Sequence, residues 1–368
     1  MFYQFYRLGP DLDANWPHSG GSIVLRISEN ARKCVVFFGI AGAGPMDNAG
    51  IPLNISYGGT GFLIVSNENG VNVPYLITCR HVAKLLSKHP EFYIRANTVG
   101  GDSYTLPVKK MEWASHPDDT VDLAAISYTL PPHIFDVIYF RLDAASTVLG
   151  EKSRSQVFCG EPISLIGLFR LHPGKQRNIS FVHTGNIAVL PDKFERIPTR
   201  DRTTNETVQA EVYLIEAQTL DGLSGSPAFV HEIADLPEID FDFGSPPRET
   251  TKGFGAVRLL GIYTGSWDGE PGQIIAADRD LRGNNTRVPV GVGTVVPADH
   301  IVELIKEHPL MKKQRDKYVS SRHQDNDPWA AKQDAAIPDP AIGDANPKHR
   351  EDFNSLVSAA VKKPVRED

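Results

Sequence analysis

The stretch Asp221-Gly222-Leu223-Ser224-Gly225-Ser226-Pro227 sets a serine between two glycines, just ahead of Ala228-Phe229. Glycines let a backbone turn tightly and leave neighbouring N–H groups uncovered. A hydroxyl beside two such amides can act as a nucleophile next to an oxyanion-binding pocket. The same residue types also build ordinary turns, so this stretch alone leaves both readings open. Two further stretches carry chemistry. Pro74-Tyr75-Leu76-Ile77-Thr78-Cys79-Arg80-His81-Val82 reads as an apolar strand that delivers a histidine at its end. His116-Pro117-Asp118-Asp119-Thr120-Val121-Asp122-Leu123-Ala124-Ala125-Ile126 sets Asp122 directly before an apolar strand. Taken singly, such a histidine or aspartate is commonly structural. Together with the serine they supply a base, an acid and a hydroxyl.

The motifs Thr78-Cys79-Arg80-His81, Val121-Asp122-Leu123-Ala124 and Gly222-Leu223-Ser224-Gly225-Ser226-Pro227 resemble the trypsin/chymotrypsin-like serine peptidases, in particular their bacterial branch. The chain order His, Asp, Ser is that of the chymotrypsin arrangement. Lipase-type hydrolases run Ser, Asp, His and need G-x-S-x-G, where this chain has Ser226. The resemblance extends over residues 20–310. It implies a serine endopeptidase that works without a cofactor on polypeptide substrates through an acyl-enzyme.

In that scheme Ser224 attacks, His81 takes and returns the proton, and Asp122 orients His81. The N–H groups of Gly222 and Ser224 form the oxyanion hole. Ser226 is a weaker candidate nucleophile, because Gly-x-Ser-Gly places the attacking residue at Ser224. Asp118 and Asp119 are rivals for the acid role but belong to the turn. Aligned on Ser224, the base of the first substrate pocket falls on Gln218 and Thr219. The facing wall falls on Tyr263, Thr264, Gly265 and Ser266. That pocket is polar and uncharged, which gives no support for a Lys or Arg preference. Leu223 stands where many zymogen-derived members carry an aspartate, so activation through that ion pair is not available. Two other functions fit the same residues: a catalytically silent peptide-binding or interaction module, and an esterase using the same triad.

The elements that must position these residues read as strands. Short runs rich in β-branched and aromatic residues recur through the first 300 residues, among them Ser22–Ile27, Lys33–Ile40, Thr60–Val65, Glu91–Asn97, Pro162–Leu168, Pro227–His231 and Val257–Thr264. With the resemblance, they predict an all-β fold of two six-stranded antiparallel β-barrels. Residues 1–20 form an irregular lead-in. The first barrel covers 21–145 with His81 and Asp122, and the second covers 146–310 with Ser224 and a helix over Asp299–Glu307. The stretches His231–Lys252 and Trp267–Arg287 are long insertions beyond strands that flank the nucleophile. From Met311 the composition turns to Lys, Gln, Asp, Pro and Ala, which predicts a flexible tail over 311–368. Within it, Phe353, Leu356, Val357, Ala360 and Val361 form an apolar stripe on a short helix, 346–362, able to dock on a partner.

Composition bounds the rest. The chain has 368 residues, 41% hydrophobic and 23% charged, which suits a globular protein. A formal net charge of −7 gives no support for nucleic-acid binding. Cys34, Cys79 and Cys159 are odd in number and widely spaced, which fits a reducing compartment and a cytoplasmic location. The N-terminus lacks the pattern of a secretory signal, and no segment approaches the roughly 20 apolar residues of a membrane span. No His-Glu-x-x-His or paired-cysteine spacing occurs, so no metal site is expected from motifs.

Overall fold

A computed structural model describes residues 27–48, 50–68, 70–109, 111–143, 146–217, 222–231, 257–267 and 291–324. A short helix, α1 (Glu29–Arg32), precedes the first sheet. That sheet contains β1 (Val35–Ala41), β2 (Ile55–Glu68), β3 (Val71–Thr78), β4 (Glu91–Asn97), β5 (Ser103–Lys109), β6 (Ala114–Ser115), β7 (Ala124–Ser127) and β8 (Phe140–Arg141). The strands run in the order β5-β4-β1-β2-β3-β7-β6, with β8 pairing in parallel to β2. Helix α2 (Arg80–Ser87) follows β3, and α3 (Gly150–Arg154) lies in the connection to the second half.

The second half contains β9 (Pro162–Leu168), β10 (Ser180–Val189), β11 (Ile197–Arg200), β12 (Thr207–Ala210), β13 (Tyr213–Glu216), β14 (Pro227–His231), β15 (Val257–Ser266) and β16 (Val292–Pro297). Six of these close a barrel in the order β10-β13-β16-β15-β14-β9, while β11 and β12 form a separate hairpin. A closed barrel is thus found in the second half; the first half is an eight-stranded sheet. The expected strands Glu91–Asn97, Pro162–Leu168 and Pro227–His231 coincide with β4, β9 and β14.

These strands form where both faces are covered. In β1, Val35, Val36, Phe37 and Phe38 are all buried, and every residue of β14 is. Such continuous apolar runs belong to strands packed on two sides. Each fully buried Phe or Ile contributes about 1.5–3 kcal/mol relative to exposure. One core runs from Phe37, Phe62 and Leu76 to Ile262 and Ile301, so it bridges the two halves. A second, built on Leu165, Ile215, Leu260 and Tyr263, fills the barrel.

Two helices close the described chain: α4 (Ala298–Glu307) and α5 (Pro309–Gln324). On α4, Ala298, Ile301, Leu304 and Ile305 form the buried stripe. Helix α5 corrects the expectation of a flexible chain from residue 311, because residues 311–324 are helical and pack against β3 and β7. Its surface is largely polar, and a few contacts hold it. Met311 is fully buried, Gln314 Oε1 accepts from Ser127 N at 2.9 Å, and Arg315 donates to the Ile305 carbonyl at 2.9 Å. Pro309 opens the helix, where its missing N–H costs nothing. The expected helix 346–362, the strand Ser22–Ile27 and most of both long insertions lie outside the described residues. Among the described residues, no helix is long and apolar enough to cross a membrane.

Candidate active site

Strand pairing brings His81 and Asp122 together. Thr78, the last residue of β3, is paired antiparallel with Ala124, the first residue of β7. The chain leaving Thr78 and the chain arriving at Ala124 therefore lie at the same sheet edge. His81 does not end a strand, as expected, but sits in the first turn of α2, with Cys79 as the extended capping residue. Asp122 likewise precedes β7 by two residues instead of standing directly before it. Both shifts have one cause. The chain must leave the ladder for the two side chains to face each other across its end.

Asp122 grips His81 twice. Its Oδ1 accepts from His81 N at 2.9 Å, and its Oδ2 lies 2.6 Å from His81 Nδ1. An ionised Asp122 fixes the ring proton on Nδ1 and leaves Nε2 as the basic nitrogen. Each side chain of the pair is 19% exposed, enough to meet a solute. The rival acids are engaged elsewhere. Asp118 Oδ1 accepts from Thr120 N and Oγ1 at 2.8 and 2.7 Å. Burial raises that carboxyl's pKa, but the Thr120 bonds outweigh it and hold the group below its ordinary value. Asp119 pairs at 3.0 Å with Arg80, whose other amino group reaches Asp201 at 3.2 Å.

The serine loop is stitched to the same edge. Gly222 and Gly225 have φ of +99° and +91°, a region that glycine enters freely. Thr60 of β2 holds the loop at two points and ties it to Leu168 of β9. Its Oγ1 donates to the Gly222 carbonyl at 2.8 Å and accepts from Leu168 N at 2.9 Å, and its N–H donates to the Ser224 carbonyl at 3.0 Å. Thr78 Oγ1 then donates to the Thr60 carbonyl at 2.8 Å. The Tyr263 carbonyl accepts both Gly225 N, at 2.9 Å, and Cys79 Sγ, at 3.3 Å. The strand that leads to His81 and the loop that carries Ser224 are thus joined through two shared partners, Thr60 and Tyr263.

Thr60 and Thr78 are positioning residues that the sequence reading did not single out. Their signals were available: Thr78 opens the quoted Thr-Cys-Arg-His motif, and Thr60 sits in Gly58-Gly59-Thr60-Gly61. Ser226 is fully buried and its Oγ has no hydrogen-bond partner among the described residues, whereas Ser224 is half-buried. Among the described residues, neither the Gly222 nor the Ser224 N–H donates to a backbone carbonyl. Ser224 Oγ itself donates to the Thr264 carbonyl at 3.4 Å, a long bond.

Of the expected specificity residues, Gln218 and Thr219 lie outside the described residues. The Tyr263 ring is packed inside the barrel core, so it offers its backbone rather than its side chain. Thr264 Oγ1 lies 2.7 Å from Thr294 Oγ1. Gly265 has φ of +145° and packs against the Arg202 guanidinium, and Ser266 O accepts from Arg202. Arg202 arrives on the β11–β12 hairpin, which the sequence reading missed. Its signal is the pair Ile197–Arg200 and Thr207–Ala210 around a polar turn with Asn205 at φ +67°. Beside the pair lies a cleft of about 190 Å³, lined in part by Arg80, Asp122, Arg202, Thr264 and Trp267.

Cys79, His81 and Asp122 place their donor atoms within 4.8 Å of one another. They make a poor metal site. Burial, then the Asp122 charge, pushes the Cys79 thiol well above its ordinary pKa, so the thiolate a metal needs is disfavoured. The cluster is suited to moving a proton.

No family model and no curated protein matches the chain in sequence. Among solved structures it is similar to Deg5, at 13% identity over 75% of this chain and 88% of that one, with a TM-score of 0.38. It is similar to the Rv3671c protease from M. tuberculosis in its active form, at 15% identity, 76% and 82% coverage and a TM-score of 0.38. A third is the HtrA-type protease AlgW with a decapeptide, at 14% identity, 77% and 66% coverage and a TM-score of 0.38. At identities of 13–15% and TM-scores of 0.38, these likenesses assign no chemistry to the chain.

Proposed function

We propose that the chain is a serine endopeptidase of the trypsin-like kind, with Ser224 as nucleophile, His81 as general base and acid, and Asp122 as its orienting carboxylate. The observation that carries this reading is the double grip of Asp122 on His81, at 2.9 and 2.6 Å, beside a glycine-flanked serine. The Gly222 and Ser224 amides would take up the oxyanion, and the acyl-enzyme would be released by water activated at His81. The substrate is a polypeptide lying along the cleft beside Thr264, Gly265 and Ser266, with residues 21–145 and 146–310 as the two halves of the enzyme. No cofactor takes part in these steps.

A second reading, a silent peptide-binding module, draws support from one contact. Ser224 Oγ is turned to the Thr264 carbonyl at 3.4 Å, a rotamer that must change before His81 can take its proton. Fluorophosphonate labelling separates the two. Labelling of the wild type that is lost in Ser224→Ala and in His81→Ala is the expected result. A folded wild type that takes no label refutes the peptidase and leaves the binding module.

A further inference from the structure

His116 follows β6 and opens the loop that leads to Asp122, while His300 and Glu303 lie one turn apart on α4. Glu303 Oε2 is 3.2 Å from His116 Nε2 and 3.2 Å from His300 Nδ1. The two rings meet edge to face with centroids 5.0 Å apart, and all three donor atoms lie within 4.8 Å of one another. His116 is buried, with its side chain 1% exposed. Among the described residues its Nε2 has no hydrogen-bond partner despite the nearby carboxylate: the distance suits a hydrogen bond and the direction does not.

That spacing has a chemical meaning. Zinc holds imidazole nitrogen and carboxylate oxygen at about 2.0–2.2 Å in a tetrahedron, which sets neighbouring donors about 3.3–3.5 Å apart. Two imidazoles and one carboxylate are also a zinc set, whereas calcium and magnesium take oxygen ligands. The other charges nearby are spoken for. Glu211 and Asp299 both pair with Arg154 at 2.6 Å, and Asp118 faces Arg196 at 3.7 Å.

We propose that His116 Nε2, His300 Nδ1 and Glu303 Oε2 form a zinc-binding site that fastens α4 to the loop carrying Asp122. Coordination at Nε2 places the His116 ring proton on Nδ1, which now accepts from Asp118 N at 3.2 Å. That long, neutral bond is exchanged, and half-buried Asp118 can turn its N–H to water. The ligands come from positions 116, 300 and 303, a separation that no short motif would reveal.

The test is zinc titration of the full chain against a chromophoric chelator, with thermal unfolding followed in parallel. One zinc per chain is expected, with a rise in Tm. His300→Ala and Glu303→Gln, both on the half-exposed side of the site, should each weaken binding at least tenfold and abolish the rise. His81→Ala, which disrupts the Cys79–His81–Asp122 group, should leave both unchanged. The proposal is overturned if folded wild type binds no stoichiometric zinc. It is equally overturned if binding survives His300→Ala and Glu303→Gln, or is lost in His81→Ala.

Discussion

Gly225 offers the sharpest test of how the serine loop is held. It has φ of +91°, and a Cβ there would overlap the Thr60 carbonyl oxygen and sit 2.6 Å from Thr78 Oγ1. Neither neighbour is the free end of a flexible chain. Thr60 O is backbone and accepts from Thr78 Oγ1, while Thr60 N donates to the Ser224 carbonyl. Gly225→Ala therefore incurs left-handed strain of about 1–2 kcal/mol. It adds overpacking of about 1–3 kcal/mol and the loss of one or both Thr60 bonds, about 1 kcal/mol each. The total, about 3–7 kcal/mol, approaches the whole stability of an ordinary domain, about 5–15 kcal/mol. The assay is urea unfolding by tryptophan fluorescence, with fluorophosphonate labelling of whatever remains folded. Gly225→Ala should lower the midpoint sharply and lose the label. Thr78→Val, which removes one bond without strain, should cost about 1–3 kcal/mol and stay folded. A Gly225→Ala protein within about 1 kcal/mol of wild type and labelled normally would refute this account of the loop.

Two further outcomes can be checked on the same preparations. Burial lowers the pKa of His231 from its ordinary 6.5, and Ser164 Oγ lies 2.7 Å from its Nε2. The folded state then binds fewer protons than the unfolded one, so stability is full above the unfolded value and falls as pH drops through it toward the folded value. Unfolding free energies compared between about pH 7.5 and pH 5.5 should show wild type losing more than His231→Gln, and equal losses would exclude His231 as the titrating group. On α5, Met311→Ala should cost about 2–5 kcal/mol by thermal or urea unfolding, because its side chain is fully buried. A cost under about 0.5 kcal/mol would mean that α5 is not docked in solution.

How much of this was legible in the sequence varies with the origin of the information. Strands whose residues are apolar on both faces, such as Glu91–Asn97 and Pro227–His231, declare themselves through composition, and their bounds were read correctly. The triad candidates were legible because the chemistry constrains residue type and local motif together. What escaped depends on distant partners. Helix α5 has few large apolar residues, and its docking rests on the buried Met311, on Gln314 meeting Ser127 far away in the chain, and on Arg315 reaching back to α4. The β11–β12 hairpin has strands of four residues, too short for alternation to show. Thr60 looks like any strand threonine until the loop 222–225 is folded over it. Tyr263 was placed on a pocket wall by alignment on Ser224, but its ring packs in the barrel core.

The grip of Thr60 on residues 222–225 also bears on the order of events during synthesis. Thr60 and Thr78, which shape the serine loop from outside, leave the ribosome well before the loop itself does. The loop's other wall, Tyr263, emerges later still. An unfinished chain would therefore hold a histidine and an aspartate already in register, and a serine not yet set in place. Of the three residues, the serine is the last to be set in place.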